Sequence, residues 1–454
     1  MPSTATKPYP PKVEQEHWFF GSAYYLSKDR MSFLRDHCTK HDINWVTSRF
    51  LNIAVTNYPA YIQHVLVDNN KNYRKSFGYD KIKHLLGNGL ITSDGAFWQR
   101  QRRLAQPAFH KKRLQVLTSV MAKHAERMAE KWHSYAKNKE TVDISHDMME
   151  IALEIVGEAL FSSDVTDKVP IVDRNLTVAN ELAMQRVLNP FALPLWVPTP
   201  ANIKEKKAIE NLDEVVWHII GKRRHTTEHY DDLLSMLMEA RDEDSGESMT
   251  DQQLRDEVMN LFLAGHETSA NALSWFWYLL TQYPEEEQKL RDEVNGVLAG
   301  RTPTFDDLPN MPYTKMAIRE AMRLYPPAWF IGRQSIEEDE IGGYYIPPNT
   351  NVLISTFFTH RDSRWWDDPL TFDPERFTEA NMKMRPKFAY LPFGGGPRQC
   401  IGNNFAMMEM QIIVPTLLQQ FQLSLSDTAK IESDPLITLR PKHGMPIRVK
   451  HVHD

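Results

Sequence analysis

Apolar residues recur at three- and four-residue spacing along most of the chain, the period of an amphipathic helix. The pattern predicts helices over 92–113, 115–136, 145–162, 172–190, 203–227, 250–282, 284–299, 312–325 and 403–420. Strand-like pieces are fewer. They fall around Trp45–Val55, at Tyr344–Ile346 and Asn351–Ser355, and in a terminal pair near Leu436–Leu439 and Pro446–Val449. From 358 to 392 the chain is rich in proline, aspartate and aromatics and has little period. Long ordered irregular segments of this kind are uncommon and usually functional. The pattern predicts one mainly α domain with small β elements over 1–454, undivided by repeats or low-complexity linkers.

Three local features qualify that outline. The acidic stretch EARDEDSGESMTDQQ (239–253) reads as a solvated loop between two helices. The connection NPFALPLWVPTPAN (189–202) is unusually apolar for a loop with four prolines. It reads as core packing or as a greasy entrance to a buried pocket, with nothing to choose between them. Pro415 lies inside the last long helix, where proline generally costs about 3 kcal/mol and kinks the axis.

Composition adds limits. The chain has 454 residues, 42% hydrophobic, enough core to enclose a cofactor. A formal net charge of −6 supplies no whole-chain basic field for nucleic acid. Cys38 and Cys400 are the only thiols, which excludes a disulfide framework and suits a reducing compartment. The N-terminus, MPSTATKPYPPKVEQEHWFF, is polar and proline-rich, without the apolar run of a signal peptide or membrane span. The expectation is a cytoplasmic protein with no transmembrane span. Contact of an apolar loop with a membrane surface, and the oligomeric state, stay open.

The chemistry concentrates at FGGGPRQCIG, Phe393 to Gly402. Three successive glycines allow positive φ and close approach to a flat surface. Cys400 lies just before a predicted helix, whose first amides favour thiolate over thiol. Arg398 adds positive charge nearby. Thiolates bind zinc, iron–sulfur clusters or haem. The first two usually need several cysteines, whereas one thiolate suffices for haem, because the porphyrin supplies the other four ligands.

The residues Phe393, Gly396, Arg398, Cys400 and Gly402 match the haem-binding signature of the cytochrome P450 family at every fixed position. The chain resembles that family from Trp18 to the terminal strands. The resemblance implies haem b (iron protoporphyrin IX) with Cys400 as the iron ligand. It further implies Phe393 beside the ligand loop, Arg398 on a propionate, and Gly402 closing the motif. Trp98 and Arg102 in WQRQR sit four apart on one helical face. The family resemblance implies propionate contacts for both, and for Arg333 after the YPP turn. His360 reads as structural.

The stretch LFLAGHETSANALSW (261–275) lies in the longest helical pattern. Ala264 and Thr268 share a face. Gly265 beside a threonine that can bond its own backbone favours a local opening of the helix. The family's oxygen-binding motif is similar to Ala264-Gly265-His266-Glu267-Thr268. The resemblance implies that Thr268 hydrogen-bonds dioxygen, that Glu267 relays protons from solvent, and that Ala264 faces the haem. His266 reads as structural. Glu320 and Arg323 in EAMR are adjacent on a helix, and PERF supplies Arg376. The resemblance implies a buried Glu320–Arg323–Arg376 network holding the 358–392 segment.

Family position also nominates a substrate-binding wall: Phe77 to Leu86, Leu261 and Ala264, the turn Ala328, Trp329 and Phe330, and a tip at Ile437. The expected reaction is oxygen insertion into a small apolar substrate. Electrons are expected from a separate ferredoxin- or flavodoxin-type donor with its reductase, since no flavin or nucleotide domain is visible. The basic cluster Arg100, Arg103, Lys111, Lys112 and Arg113 reads either as a solvated face or as a dock for that donor. A fatty acid or related long-chain compound is the first expectation for the substrate, through likeness to fatty-acid and alkane hydroxylases of soluble bacterial type. A terpenoid or steroid is the alternative. A peroxide-using relative and a non-catalytic haem sensor are the other readings.

Overall fold

A 32-residue helix, Asp251–Gln282, runs through the centre of the molecule. Thr250 and Gln253 close its start as a reciprocal capping box, satisfying two amide donors. Its length, about 48 Å at 1.5 Å per residue, spans the whole core. The computed structural model describes residues 7–452 apart from Phe50, Pro190, Thr227, His229, 242–245 and Glu247.

Against this axis packs Ile144–Phe161, whose run IALEIVGEAL is almost wholly buried. A helix buried along most of its length lies inside a larger core, and its buried carboxylates are paired, Glu154 with His124 and Asp147 with Lys131. Lys111–Asn138 packs in turn on Asn403–Leu418, the helix that follows Cys400. Val169–Leu188 and Pro200–Arg224 pair over the other side.

Most predicted helices are present, with one informative break. The expected 92–113 helix divides into Gly95–Ala105, a tight turn at Gln106–Phe109, and the start of Lys111–Asn138. Pro107 lacks an N–H and disfavours helix at the residue before it. Pro415 behaves more gently. Its helix continues to Leu418, so the missing bond falls in the last turn. Short helices at Ala23–Lys28, Arg30–His37, Phe77–Leu86 and Leu233–Glu239 escaped the periodicity reading.

Trp45–Val55 is a hairpin, Ile43–Val46 with Ile53–Thr56, rather than one strand. It heads a five-stranded sheet in the order Ile43–Val46, Ile53–Thr56, Asn351–Ile354, Ile331–Ser335, Tyr73–Lys75. The second and third strands run parallel and the other pairs antiparallel. Leu436–Leu439 is likewise not a strand. The strands are Ser433–Pro435 and Leu439–Pro441, and 436–438 forms the turn between them.

The 358–392 segment is mostly irregular, broken by turns at Pro374–Phe377 and Lys387–Ala389 and a short helix at Glu379–Met384. Part of the acidic stretch, 242–245 and Glu247, lies outside the described residues. In the apolar connection Trp196 is 82% exposed and Phe191 58%, so packing into the core does not describe them. Phe191 instead borders the internal cavity described below. Among the described residues no helix is long and apolar enough to cross a membrane.

Candidate functional site

The cysteine loop is set by backbone geometry. The Cys400 amide donates to the Phe393 carbonyl at 2.9 Å, closing the loop on itself. Gly394 and Gly396 both adopt positive φ. A Cβ on Gly396 would fall 1.8 Å from the Leu66 carbonyl oxygen, and one on Gly395 would strike the Phe388 ring. These glycines therefore answer to close packing against protein as well as to the shape of the loop. Gly402 precedes the helix Asn403–Leu418, and its amide helps hold the Cys400 sulfur.

Cys400 keeps accessible surface, although protein crowds it closely enough for burial to push its thiol above the usual value. Arg102 is the cation that opposes that upward shift. Arg398, expected to fill that place, turns instead to Asp94 and to the Ser93 carbonyl, 2.8 Å away. Its guanidinium lies 4.2 Å from the centroid of Trp98.

Four cations gather here with little to neutralise them. Lys75 and Arg333 face each other directly across antiparallel strands, a pairing of like charges that costs free energy. Burial, then mutual repulsion from Arg333 and Arg398, holds Lys75 well below its ordinary range, with Asp94 as the opposing carboxylate. Burial pushes Arg398 down to about 10 and lowers Arg333 and Arg102. Arg333 donates to the Gly332 carbonyl at 2.9 Å and bonds the Tyr79 side chain, and Arg102 donates to the Gln399 carbonyl at 2.9 Å. Two further carboxylates would satisfy this cluster. One accessible thiol beside a buried Arg333 and three half-buried cations, with Asp94 the one carboxylate described among them, fits haem b, which brings an iron and two propionates. Lys75 and Asp94 were not foreseen; the cross-strand register reveals Lys75, and the contact with Arg398 reveals Asp94.

A cavity of about 700 Å³ opens between the long helix, the sheet and the hairpin tip. Phe77, Leu86, Ala264, Ala328, Trp329, Phe330 and Ile437, nominated above by family position, line it. Leu261 does not. It packs into the helical core, and Leu263 lines the wall in its place. Ile82, Leu85, Leu176 and Met184 are among the other apolar residues of the wall; an amphipathic reading of Phe77–Leu86 and of the face of Val169–Leu188 would have found them. The loop after Phe77–Leu86 is clamped to the long helix. The amides of Asn88, Leu90 and Ile91 donate to the side chains of Asp256, Glu257 and Asn260.

Ala264, Glu267 and Thr268 border the cavity. The helix remains unbroken there, contrary to the expected opening. The Thr268 hydroxyl donates to the Ala264 carbonyl at 2.7 Å. Gly265 has a packing reason: a Cβ would meet Val156 at 2.8 Å, so glycine lets Ile144–Phe161 approach. His266 is fully buried beside Asp173, and burial pushes it down to about 4. Glu267 is buried, which raises its carboxyl. It accepts from Thr438 Oγ1 at 2.6 Å and from Asn180 Nδ2 at 2.8 Å.

On the cysteine side, Glu320 and Arg323 are wholly buried and bonded through both carboxylate oxygens, at 2.6 and 2.7 Å. Arg323 also donates to the carbonyls of His360, Pro369 and Thr371. Arg376 lies 3.4 Å from Glu320 and donates to the Asp368 carbonyl. The three residues thus meet, and they grip the irregular segment by its backbone. His360 belongs to the same core: its Nε2 accepts from the Leu391 amide, and it has no exposed surface. Of the basic cluster, Arg113 pairs with Asp231, and the Lys111 side chain lies outside the described residues. Cys38 is a buried core thiol, pushed up to about 12.

A family model described as Cytochrome P450 matches residues 11–447. Cyclooctatin synthase of Streptomyces melanosporofaciens is 36% identical, over 84% of this chain and 83% of that protein. Cyclooctat-9-en-7-ol 5-monooxygenase of the same organism is 33% identical, over 81% and 79%. Pentalenene oxygenase of Streptomyces avermitilis is 30% identical, over 94% of each. An accessible thiol in a glycine loop, a cation cluster suited to propionates and an apolar cavity against a long helix coincide with these matches. The chain belongs to the cytochrome P450 family and is a haem b monooxygenase, an oxidoreductase rather than a sensor.

Proposed function

We propose that the enzyme hydroxylates an apolar terpenoid, the second of the two substrate classes the sequence suggested. The relatives named for cyclooctatin, cyclooctatenol and pentalenene chemistry carry this reading. The cavity supports it, since its wall is made largely of leucine, isoleucine, valine and aromatic side chains. A long-chain fatty acid has one observation in its favour: Arg30 and Lys81 also border the cavity and suit a carboxylate.

Haem supplies the activation of dioxygen by two electrons when bound. Cys400 would hold its iron, and Lys75, Arg102, Arg333 and Arg398 would hold its propionates. Trp98 would pack beside them under Arg398, and Phe393 would shield the sulfur. Ala264 would set the approach to the cavity floor. Thr268 would donate to oxygen in the cavity, and Glu267 would supply the proton. Leucine and aromatic side chains would exclude bulk water and hold the substrate in place. The electron donor would be a ferredoxin or flavodoxin, approaching the groove formed by Trp98, Arg102 and Arg103 on the cysteine side.

Titration of terpene, steroid and fatty-acid panels, read by the haem absorption band and followed by turnover with a reduced donor, tests the assignment. A terpenoid should bind and give a hydroxylated product. Turnover confined to fatty acids, abolished by Arg30→Leu, would sink it in favour of the second reading. Thr268→Ala should divert reducing equivalents from product to peroxide.

A further inference from the structure

Both oxygens of Glu267 are engaged by side chains from elsewhere in the chain. Thr438 stands on the turn between Ser433–Pro435 and Leu439–Pro441, and Asn180 on the helix Val169–Leu188. Thr438 in turn accepts from Asn271 Nδ2 at 3.1 Å, one turn along from Glu267 on the long helix. Thr438, Asn180 and Glu267 all border the substrate cavity.

A separate set of ions lies near this carboxyl. Arg440 donates to Glu181 at 2.9 Å and to Thr177 at 3.3 Å, and lies 3.4 Å from Asp434. The charges felt at Glu267 are Arg440, from the terminal hairpin, and Asp173, from Val169–Leu188. From its own helix come Thr268, whose hydroxyl is directed to a carbonyl, and buried His266. Glu267 thus has no described bond to Thr268, its neighbour in sequence. Its orientation is set by the cavity wall.

We propose that Thr438 and Asn180 are positioning residues that orient the Glu267 carboxyl between solvent and cavity, and thereby set the pH at which it gives up its proton. The physical reason is direct. Each donor stabilises the ionised carboxylate against the cost of burial, so each lowers the titration point of a group that burial raises. The hydroxyl of Thr438 can also turn to follow the carboxyl, whereas the amide of Asn180 stays a fixed donor. The elements that carry the donors also line the cavity, so cavity occupancy and proton supply share one frame.

This inference rests on the monooxygenase activity and on the role of Glu267 given above. Its test therefore reads Glu267 without turnover. Infrared difference spectra of the resting holoenzyme, with Glu267→Gln as the subtracting reference, follow the protonated carboxyl band as pH is varied. Thr438→Val should move the Glu267 titration up by about one pH unit, and Thr438→Ser should restore it. Asn180→Leu should shift it in the same direction, and it provides the measurement if Thr438→Val does not fold. The pH limb of the product-to-peroxide ratio should move with the band. An unmoved band in both Thr438→Val and Asn180→Leu overturns the proposal, as does an equal shift in Thr438→Ser. A limb that stays in place while the band moves overturns it too. Absence of product in the wild type, with the band shifting as described, would count against the substrate reading and leave the positioning intact.

Discussion

Consider Arg323→Met. The wild-type guanidinium has no exposed surface and makes five hydrogen bonds, two to Glu320 and three to carbonyls of the irregular segment. Methionine fills a similar volume but donates nothing. Glu320 then keeps Arg376 at 3.4 Å and the Asp373 amide at 3.0 Å, too little to balance a fully buried carboxylate. Breaking a buried pair by removing one partner costs about 3–5 kcal/mol, and stranded buried carbonyls add about 1–3 kcal/mol each when no water reaches them. The expected loss is about 6 kcal/mol at the low end of these ranges. At about 2.1 cal/mol/K of unfolding entropy per residue, 454 residues unfold with about 1 kcal/mol/K. The melting point should fall by about 6 °C at matched haem loading. Glu320→Leu added to Arg323→Met removes the uncompensated charge and should recover about half of the loss, leaving the carbonyl share. Urea denaturation and thermal melting of both variants measure this. A single-variant loss below about 1 kcal/mol, or a double variant as costly as the two singles together, would refute the reasoning.

Five further outcomes are expected. Cys400→Ser should abolish the thiolate-specific carbon-monoxide absorption band without unfolding the chain, read by spectra and circular dichroism. Gly396→Ala should cost about 3 kcal/mol or more, because its Cβ meets the Leu66 carbonyl. Gly402→Ala, whose Cβ has Phe109 as nearest neighbour at 3.8 Å, should stay within about 1 kcal/mol in the same denaturation assay. Lys75→Met should stabilise the haem-free protein by about 0.5 kcal/mol, by relieving the opposition to Arg333, yet weaken haem retention in a transfer assay; equal signs in the two assays would contradict the propionate assignment. Burial holds His266 near 4 in the fold against 6.5 free, so it stays neutral while the unfolded chain takes up a proton. Stability should therefore fall by about 3 kcal/mol between pH 6.5 and 4 on its account, and His266→Leu should flatten that slope in urea titrations.

Local signals carried far in this chain. Helical periodicity located the long helix because its buried face repeats over 32 residues. The ligand loop announced itself because glycine, arginine and cysteine stand at fixed spacing within ten residues. Where one residue interrupted a pattern, the boundary slipped: Pro107 split a predicted helix, and the short strands around 43–56 ran together. Leu261 shows the limit of assigning a wall by position, since a shift of two residues along the same helix separates core from cavity.

Residue types and spacing by themselves determined the α-rich class and set Cys400 apart in its glycine loop, because helices, loops and motifs are encoded over short stretches; the pair Glu267–Thr268 stood out only through the family resemblance. Only the tertiary structure decided which cation stands beside Cys400, that Lys75 opposes Arg333, and that Thr438 and Asn180 hold Glu267. Those contacts join segments up to about 300 residues apart. Side-chain chemistry at such distance depends on strand register and helix packing, which no local pattern carries.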